Sequence, residues 1–210
     1  MKFHPLFIFI LGAGLLLGGC ATLPPKDYTV YKQHMPRSIL VLPPTNQTTE
    51  LNANYSFYTQ TTEPIAEMGY YVYPVALVDQ YFKDNGVTVP DDMHAIPIDK
   101  LYEVFGADAV LYINVEKYGS KYVLLASNVI ISASATLVDC RSGEVLWQGR
   151  VDHVQAGNSG LLEALVEQII NQIADQPHVV AGVATTILLT PDGQGLLKGH
   201  RHPRFGEPES

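Results

Sequence analysis

Short apolar runs and amphipathic segments follow one another along the first third of the chain. Residues 38–42 (SILVL) form an apolar run that ends at two prolines, which predicts a short buried strand. Residues 53–68 place apolar side chains near helical spacing and precede Gly69, so they predict a helix. Pro64 lies inside this helix and predicts a kink in it.

The pattern repeats over the next forty residues. Residues 70–73 (YYVY) predict a second strand. Pro74 opens a helix that ends near Asn85 and Gly86, residues 87–95 are expected to form a loop, and Pro97 opens a short helix that stops at Gly106.

Strands dominate the pattern after residue 108, and helices return near the end. Residues 109–116, 121–138 and 144–154 predict an antiparallel meander, whose long second strand would be a liability if it lay at a sheet edge. Residues 159–173 predict an amphipathic helix, and residues 178–189 a helical or extended apolar segment. We therefore expect an α+β fold: a mixed, largely antiparallel sheet packed against helices, as a three-layer or two-layer α/β sandwich.

The N-terminus has the parts of a secretory signal. Lys2 is followed by the apolar core 6–17 (LFIFILGAGLLL) and two small residues. The core is shorter than the roughly 20 apolar residues that a membrane-spanning helix needs. The alternatives are a signal with an incidental cysteine after it and a signal for lipidation.

The segment Leu17-Gly18-Gly19-Cys20 resembles the bacterial lipobox. By that resemblance Cys20 is acylated and becomes the first residue of the mature chain, which anchors the protein to a membrane. Ala21, in place of an aspartate, implies the outer membrane by resemblance to the sorting rules of Gram-negative lipoproteins.

These features divide the chain into four segments. We expect a signal peptide at residues 1–19, a lipidated tether at 20–37, one α/β domain at 38–190 and a polar, disordered tail at 191–210.

Net charge and cysteine content limit which partners and which kinds of site the protein can have. The chain has 13 basic and 21 acidic residues, a net charge of −8 that becomes −9 when the signal and its one lysine are removed. This balance argues against nucleic acid as a partner, and against an electrostatic attachment to anionic lipid. After acylation of Cys20, Cys140 has no intrachain partner; the alternatives for it are a packed small residue, an intermolecular disulfide or a reactive thiol.

No sequence motif indicates catalysis. Nucleotide-binding glycine motifs, the metalloprotease HExxH, CxxC pairs and the GxSxG nucleophile elbow are all missing from the sequence. We expect no enzyme activity, catalytic residue, metal site or cofactor, although a hydrolase without a motif would escape this search. The histidines and the pair Asp91-Asp92 are better read as solvated or packed side chains.

Two features suggest contact with other proteins. Tyrosine is frequent, with 12 residues concentrated in the first two-thirds of the chain, and suits either core packing or a partner surface. The polar loop 45–54 follows a core strand, so we name Thr45, Asn46 and Gln47 as candidate partner-binding residues; the alternative is a loop that caps the next helix.

Four blocks in order resemble a family of Gram-negative lipoproteins of unknown function, to which a meningococcal vaccine-candidate lipoprotein belongs. They are residues 39–47 (ILVLPPTNQ), 63–74 (EPIAEMGYYVYP), 105–112 (FGADAVLY) and 138–147 (VDCRSGEVLW). The resemblance implies a fold similar to the periplasmic domain of the curli-secretion channel lipoprotein, the penicillin-binding-protein activator lipoprotein and the TolB N-terminal domain. It also implies a homo-oligomer, a dimer among the options, and a channel-like outer-membrane lipoprotein as a partner.

The sequence therefore predicts a periplasm-facing, outer-membrane lipoprotein in a secretion or cell-surface assembly. The alternative is a lipoprotein that regulates an envelope enzyme such as a peptidoglycan synthase.

Overall fold

A mixed six-stranded sheet lies at the centre of the computed structural model, which describes residues 26–123, 126–129, 131–152, 176–191 and 193–207. Numbered in chain order with a separate two-stranded hairpin, the strands are β1 (Ser38–Val41), β2 (Thr45–Asn46), β3 (Tyr71–Val72), β4 (Ala109–Lys117), β5 (Ser120–Val123), β6 (Ala126–Val129), β7 (Ser132–Asp139) and β8 (Val145–Asp152). The helices are α1 (Thr29–His34), α2 (Ala53–Gln60), α3 (Thr62–Glu67), α4 (Val75–Asp84), α5 (Pro90–His94), α6 (Ile98–Phe105) and α7 (Gln176–Leu189).

The sheet combines parallel and antiparallel pairing. Its order is β3-β1-β4-β7-β8, with β2 also beside β4. The crossovers through helices make β1 parallel to β3 and β4, whereas β4, β7 and β8 form a long antiparallel meander. The separate hairpin is β5 with β6.

Helices cover both faces of the sheet. Alternate residues of β1 point to opposite sides: Ile39 and Val41 join the core beneath α1, α2 and α7, while Leu40 and Leu42 join the core beneath α4, α5 and α6. All four side chains are fully buried. The expected α+β class is confirmed, and the arrangement is the three-layer sandwich.

Two predicted elements divide where the chain bends. The helix expected at 53–68 is α2 and α3, with a break at Thr61, whose buried Oγ1 donates to the carbonyl of Tyr58 at 2.7 Å. Pro64 is tolerated because it lies in the first turn of α3, where its missing N–H costs little. The segment 121–138 does not form one strand. It contains most of the β5–β6 hairpin and then β7, which is paired on both sides and is no edge strand.

The other predictions have mixed outcomes. The loop expected at 87–95 is wrong in part, since Pro90 opens α5 and Met93 packs its side chain into the core. The segment 178–189 is helical, as part of α7. The helix expected at 159–173 lies outside the described residues. Among the described residues no helix combines the length and hydropathy needed to cross a bilayer.

The two ends of the described chain pack against each other. The hydroxyl groups of Tyr31 and Tyr70 are hydrogen-bonded at 2.8 Å, and Tyr70 donates to the carbonyl of Leu197 at 2.5 Å. Leu196 and Leu197 are buried in the core. Two expectations are therefore wrong. The tether does not extend to residue 37, because α1 belongs to the domain, and residues 193–207 are not a disordered tail, because the apolar pair docks them.

Trp147 of β8 joins three parts of the chain. Its Nε1 donates to the carbonyl of Gln194 at 2.9 Å, and the ammonium group of Lys26 lies 4.9 Å from the ring centroid. Gly149 lies two residues further on the same face of the strand, and a Cβ there would overlap the indole ring. The absence of a side chain at Gly149 thus makes room for the tryptophan.

We expect Gly149→Ala to lower the free energy of unfolding by about 1–3 kcal/mol, because the added methyl group must displace a buried ring. Chemical denaturation monitored by far-UV circular dichroism measures this change. Gln148→Ala, at an exposed neighbouring position of β8, is the matched control and should change it by less than about 0.5 kcal/mol. Equal values for the two variants would contradict the packing argument.

We expect Tyr70→Phe to lower the free energy of unfolding by about 1–3 kcal/mol, because the buried Leu197 carbonyl and Tyr31 hydroxyl both lose a partner. Tyr81→Phe removes a hydroxyl from a side chain that is 40% exposed and should be nearly neutral. Hydrogen exchange should also show faster exchange at residues 196–202 in Tyr70→Phe alone. Unchanged exchange there would show that other contacts dock the C-terminal segment.

Candidate partner-binding surfaces and anchor

The candidate residues Thr45, Asn46 and Gln47 are a strand continuation and not a free loop. After the two prolines, Thr45 pairs with Asn114 and Asn46 with Val115 in parallel register. The backbone N–H of Gln47 donates to the carbonyl of Val115 at 2.9 Å. β2 thus extends along β4 beyond the point where β1 ends.

Two of the three side chains make hydrogen bonds within the domain. Thr45 Oγ1 donates to Asn114 Oδ1 at 2.9 Å. Asn46 Nδ2 donates to the carbonyl of Glu50 at 2.8 Å, and its Oδ1 accepts from the N–H of Thr48 at 2.9 Å. These bonds shape the turn that precedes α2. Of the three, Gln47 has the exposed side chain, and it is the better candidate for a contact residue.

Asn46→Ala and Gln47→Ala should have different effects. We expect Asn46→Ala to lower the free energy of unfolding by about 1 kcal/mol, because it removes both side-chain hydrogen bonds of the turn. Gln47→Ala should leave stability within about 0.5 kcal/mol. Thermal unfolding of both variants, followed by co-purification from crosslinked cells, measures the two effects separately. Loss of a partner with Gln47→Ala would support a contact role, and unchanged recovery would contradict it.

Half-exposed aromatic side chains gather beside the edge strand β3. We call this set the aromatic surface; it consists of Tyr71, Tyr73, Tyr81, Tyr102 and Phe105. Tyr73 has edge-on ring contacts with Tyr71 at 5.2 Å and with Phe105 at 6.3 Å, and Tyr81 contacts Phe105 at 5.1 Å. Tyr71, Tyr81 and Tyr102 are 43%, 40% and 37% exposed, so much ring area faces outward.

Hydrogen bonds and charges hold the aromatic surface in place. The hydroxyl of Tyr73 donates to the carbonyl of Phe105 at 2.9 Å, and burial raises the pKa of Tyr73, so the donor stays protonated. The guanidinium of Arg141 lies 5.3 Å from the centroid of the Tyr102 ring and 3.1 Å from Asp108. Rigid aromatic side chains with polar tips are frequent in protein interfaces. The tyrosine excess suited either core packing or a partner surface, and the sequence did not show which tyrosines would serve each; Tyr31, Tyr58 and Tyr70 are buried in the core.

Cys140 is a packed thiol. It is 3% exposed, and burial raises its pKa to about 12. A reactive cysteine needs the opposite, an accessible and readily ionised sulfur. Of the three alternatives, the structure favours the packed small residue.

The described part of the chain gives no group of three or more histidine, cysteine, aspartate or glutamate side chains arranged to hold a metal. His34 lies between Glu144 at 2.7 Å and Asp139 at 3.7 Å, where it links α1 to the β7–β8 turn. His94 Nε2 donates to the carbonyl of Pro43 at 2.9 Å, so this side chain is bonded within the fold.

The proposed anchor, Cys20, lies outside the described residues, but the domain begins close to it. Lys26 is fixed by the Trp147 ring and by the carbonyls of Gln148 and Gln194. Lys26 follows Cys20 by six positions, so the connection spans at most about 20 Å even when fully extended. The greatest possible distance between the Cys20 sulfur and the domain is therefore much shorter than a tether ending at residue 37 would give.

Comparison with known proteins identifies the class as lipoproteins. The GNA1162-like family model matches residues 26–201. The relative named NMB1124/NMB1162, from Neisseria meningitidis serogroup B, is 43% identical over 209 residues, which cover 95% of this chain and 96% of the relative. The chain therefore belongs to the GNA1162-like lipoprotein family.

One solved structure agrees with this assignment. The crystal structure of lipoprotein GNA1162 from Neisseria meningitidis is 45% identical, covers 67% of this chain and 99% of its own, and has a TM-score of 0.56. A PelC dodecamer from Paraburkholderia phytofirmans is 16% identical, covers 86% of this chain and 96% of its own, and has a TM-score of 0.48, too distant to bear on function.

Proposed function

We propose that the protein is anchored to the outer membrane through acylated Cys20, with its domain in the periplasm, and serves as a non-enzymatic component of a secretion or cell-surface assembly. The observation that carries this proposal is the lipobox-like Leu17-Gly18-Gly19-Cys20 placed six residues before a fixed domain of a lipoprotein family.

The physical requirements of an anchor are met by this arrangement. One acyl chain holds a protein only marginally, since each buried methylene contributes about 0.8 kcal/mol, whereas several chains on one cysteine give firm attachment. With a connection of at most about 20 Å, the domain stays near the bilayer surface. That position favours a partner that is itself at the outer membrane, such as a channel-like lipoprotein.

The short connection bears on the alternative role. A regulator of an inner-membrane enzyme such as a peptidoglycan synthase gains from a tether that crosses the periplasm. A tether from Cys20 to residue 37 would reach about 60 Å, and the fixed position of Lys26 shortens this reach to about a third. The regulator therefore stays the second candidate.

The aromatic surface supports a binding role for the domain. It lies beside β3, at one edge of the sheet, and combines exposed ring area with polar tips. Such a surface can bury apolar area against a partner without leaving hydroxyl groups unsatisfied.

The two cysteines allow a direct test of the anchor. We expect Cys20→Ala to abolish incorporation of an alkyne-labelled palmitate and to move the protein from the outer-membrane fraction to the soluble fraction. Cys140→Ala is the matched control, because its thiol is buried and should not be acylated. Labelling that persists in Cys20→Ala would contradict the proposed anchor.

A photo-crosslinking amino acid at position 81 tests the proposed assembly in intact cells. Position 148, on β8 at the opposite edge of the sheet, is the control. We expect an adduct with a channel-like outer-membrane lipoprotein from position 81 and no such adduct from position 148. An adduct with a cell-wall synthase would favour the regulator, and adducts between copies of this chain alone would remove the main support for a heterologous assembly.

A further inference from the structure

Positive charge is concentrated in the C-terminal segment of an acidic protein. The chain has 13 basic and 21 acidic residues, yet residues 198–204 (KGHRHPR) contain three fixed positive charges, two histidines and no carboxylate. The fold adds Lys32 and Arg37, which lie close to this segment although they are more than 160 residues away in sequence. Uneven charge of this kind creates a local positive field despite the net charge.

The segment forms one wall of a cleft of about 500 Å³. Met35, Leu197 and Phe205 supply an apolar lining, and Lys32, Lys198 and His200 supply polar and charged groups around it. The imidazole of His200 stacks on the Phe205 ring at 4.5 Å between centroids. Glu207 also borders the cleft, so an anion would enter on the side of the lysines. We call this space the basic cleft.

A second recess of about 400 Å³ adjoins the basic cleft through His200. It is lined by Arg37, Ser38, Tyr71 and Arg201, among others, and Arg201 lies 6.0 Å from the centroid of the Tyr71 ring. His200 lines both spaces. Around it lie Lys32 of α1, Arg37 just after α1, and Lys198 and Arg201 of the C-terminal segment.

Backbone hydrogen bonds fix the C-terminal segment that carries Lys198 and Arg201. The N–H of Gly199 donates to the carbonyl of Met68 at 2.6 Å, and that of Arg201 donates to the carbonyl of Gly69 at 3.2 Å. Gly69 has φ of +90°, and a Cβ there would overlap the backbone of His202. The close approach of the two segments therefore needs glycine at position 69, and the cleft is formed before any ligand arrives.

We propose that the basic cleft binds the phosphate-bearing headgroup of an anionic membrane lipid. The inference rests on the proposed anchor, which keeps the domain at a bilayer. Lys32 follows Cys20 by twelve residues, part of them in α1, so the cleft stays within about 40 Å of the acylated sulfur. The mixed lining suits a lipid, because a phosphate needs the cations and the adjoining glycerol and ester groups can lie against the apolar side chains.

The same charges would orient the domain. Each lysine or arginine near an anionic surface contributes about 1 kcal/mol, whereas the acidic remainder of the protein is repelled. The side with the basic cleft would then face the headgroups. The aromatic surface shares Tyr71 with the second recess, so it would lie near the bilayer rather than opposite to it.

Vesicle binding of the unacylated mature chain, residues 20–210 with Cys20→Ala, tests the proposal without a contribution from the anchor. The probes are vesicles of phosphatidylcholine and vesicles that also contain phosphatidylglycerol, compared by sedimentation at low and high salt. We expect binding to the anionic vesicles that salt weakens. Lys32→Ala with Arg201→Ala should weaken it about 25-fold, or about fivefold for each removed charge.

The matched control is Lys100→Ala with Lys117→Ala. It also removes two exposed positive charges, but these two lysines line neither the basic cleft nor the second recess. It should retain most of the binding, and thermal unfolding should show that both double variants are folded. Equal losses in the two double variants, or no preference for anionic vesicles, would overturn the proposal. Glycerol 1-phosphate that binds in the same residue-dependent way while vesicles do not would overturn it too, in favour of a soluble phosphate compound. Because this chain lacks Cys20, failure of the anchor and failure of the cleft give separate results.

Discussion

The rest of the structure depends on the docking of residues 26–37 against residues 193–207. Three hydrogen bonds, two of them buried and the third part-buried, support this docking: the buried Tyr31–Tyr70 pair, the buried bond from Tyr70 to the carbonyl of Leu197, and the part-buried bond from Trp147 to the carbonyl of Gln194. When one partner of a buried hydrogen bond is removed, the polar group left behind has no partner. The free-energy cost of that unsatisfied group exceeds the net stabilisation that the bond contributed. This docking fixes α1 on the domain, and so determines both the length of the connection to Cys20 and the walls of the basic cleft.

The proposed membrane attachment and the proposed lipid-binding cleft are therefore linked by one packing arrangement. If residues 26–37 were free, the domain could move tens of ångströms from its anchor and present any face to the bilayer. Because Lys26 is fixed against Trp147, the proposed anchor at Cys20 would keep the domain close to the bilayer, and the charges of residues 198–204 would then influence its orientation. The mature chain, whose net charge is −9 after loss of Lys2, could then meet an anionic surface with its positive side.

The surfaces of the domain divide between side chains that make contacts within the fold and side chains that are exposed. The side chains of Thr45 and Asn46 make hydrogen bonds within the fold, whereas Gln47 is exposed. The rings of the aromatic surface lie half exposed beside a short edge strand. Contacts of Tyr73 with Tyr71 and of Tyr81 with Phe105 restrict the movement of these rings. Membership of the GNA1162-like family identifies a lipoprotein and names no partner.

The sequence by itself determined most local structure, because apolar spacing, prolines and glycines act over a few residues. It placed β1, β4, α6 and the break between α2 and α3 near where they lie, and it identified the α+β class. Tertiary structure decided what depends on distant contacts: that β7 is a central strand, that Leu196 and Leu197 dock an apparent tail, and that Lys32 and Arg37 meet residues 198–204. A count of charges cannot reveal such a meeting, because position in space, not in sequence, determines the local field.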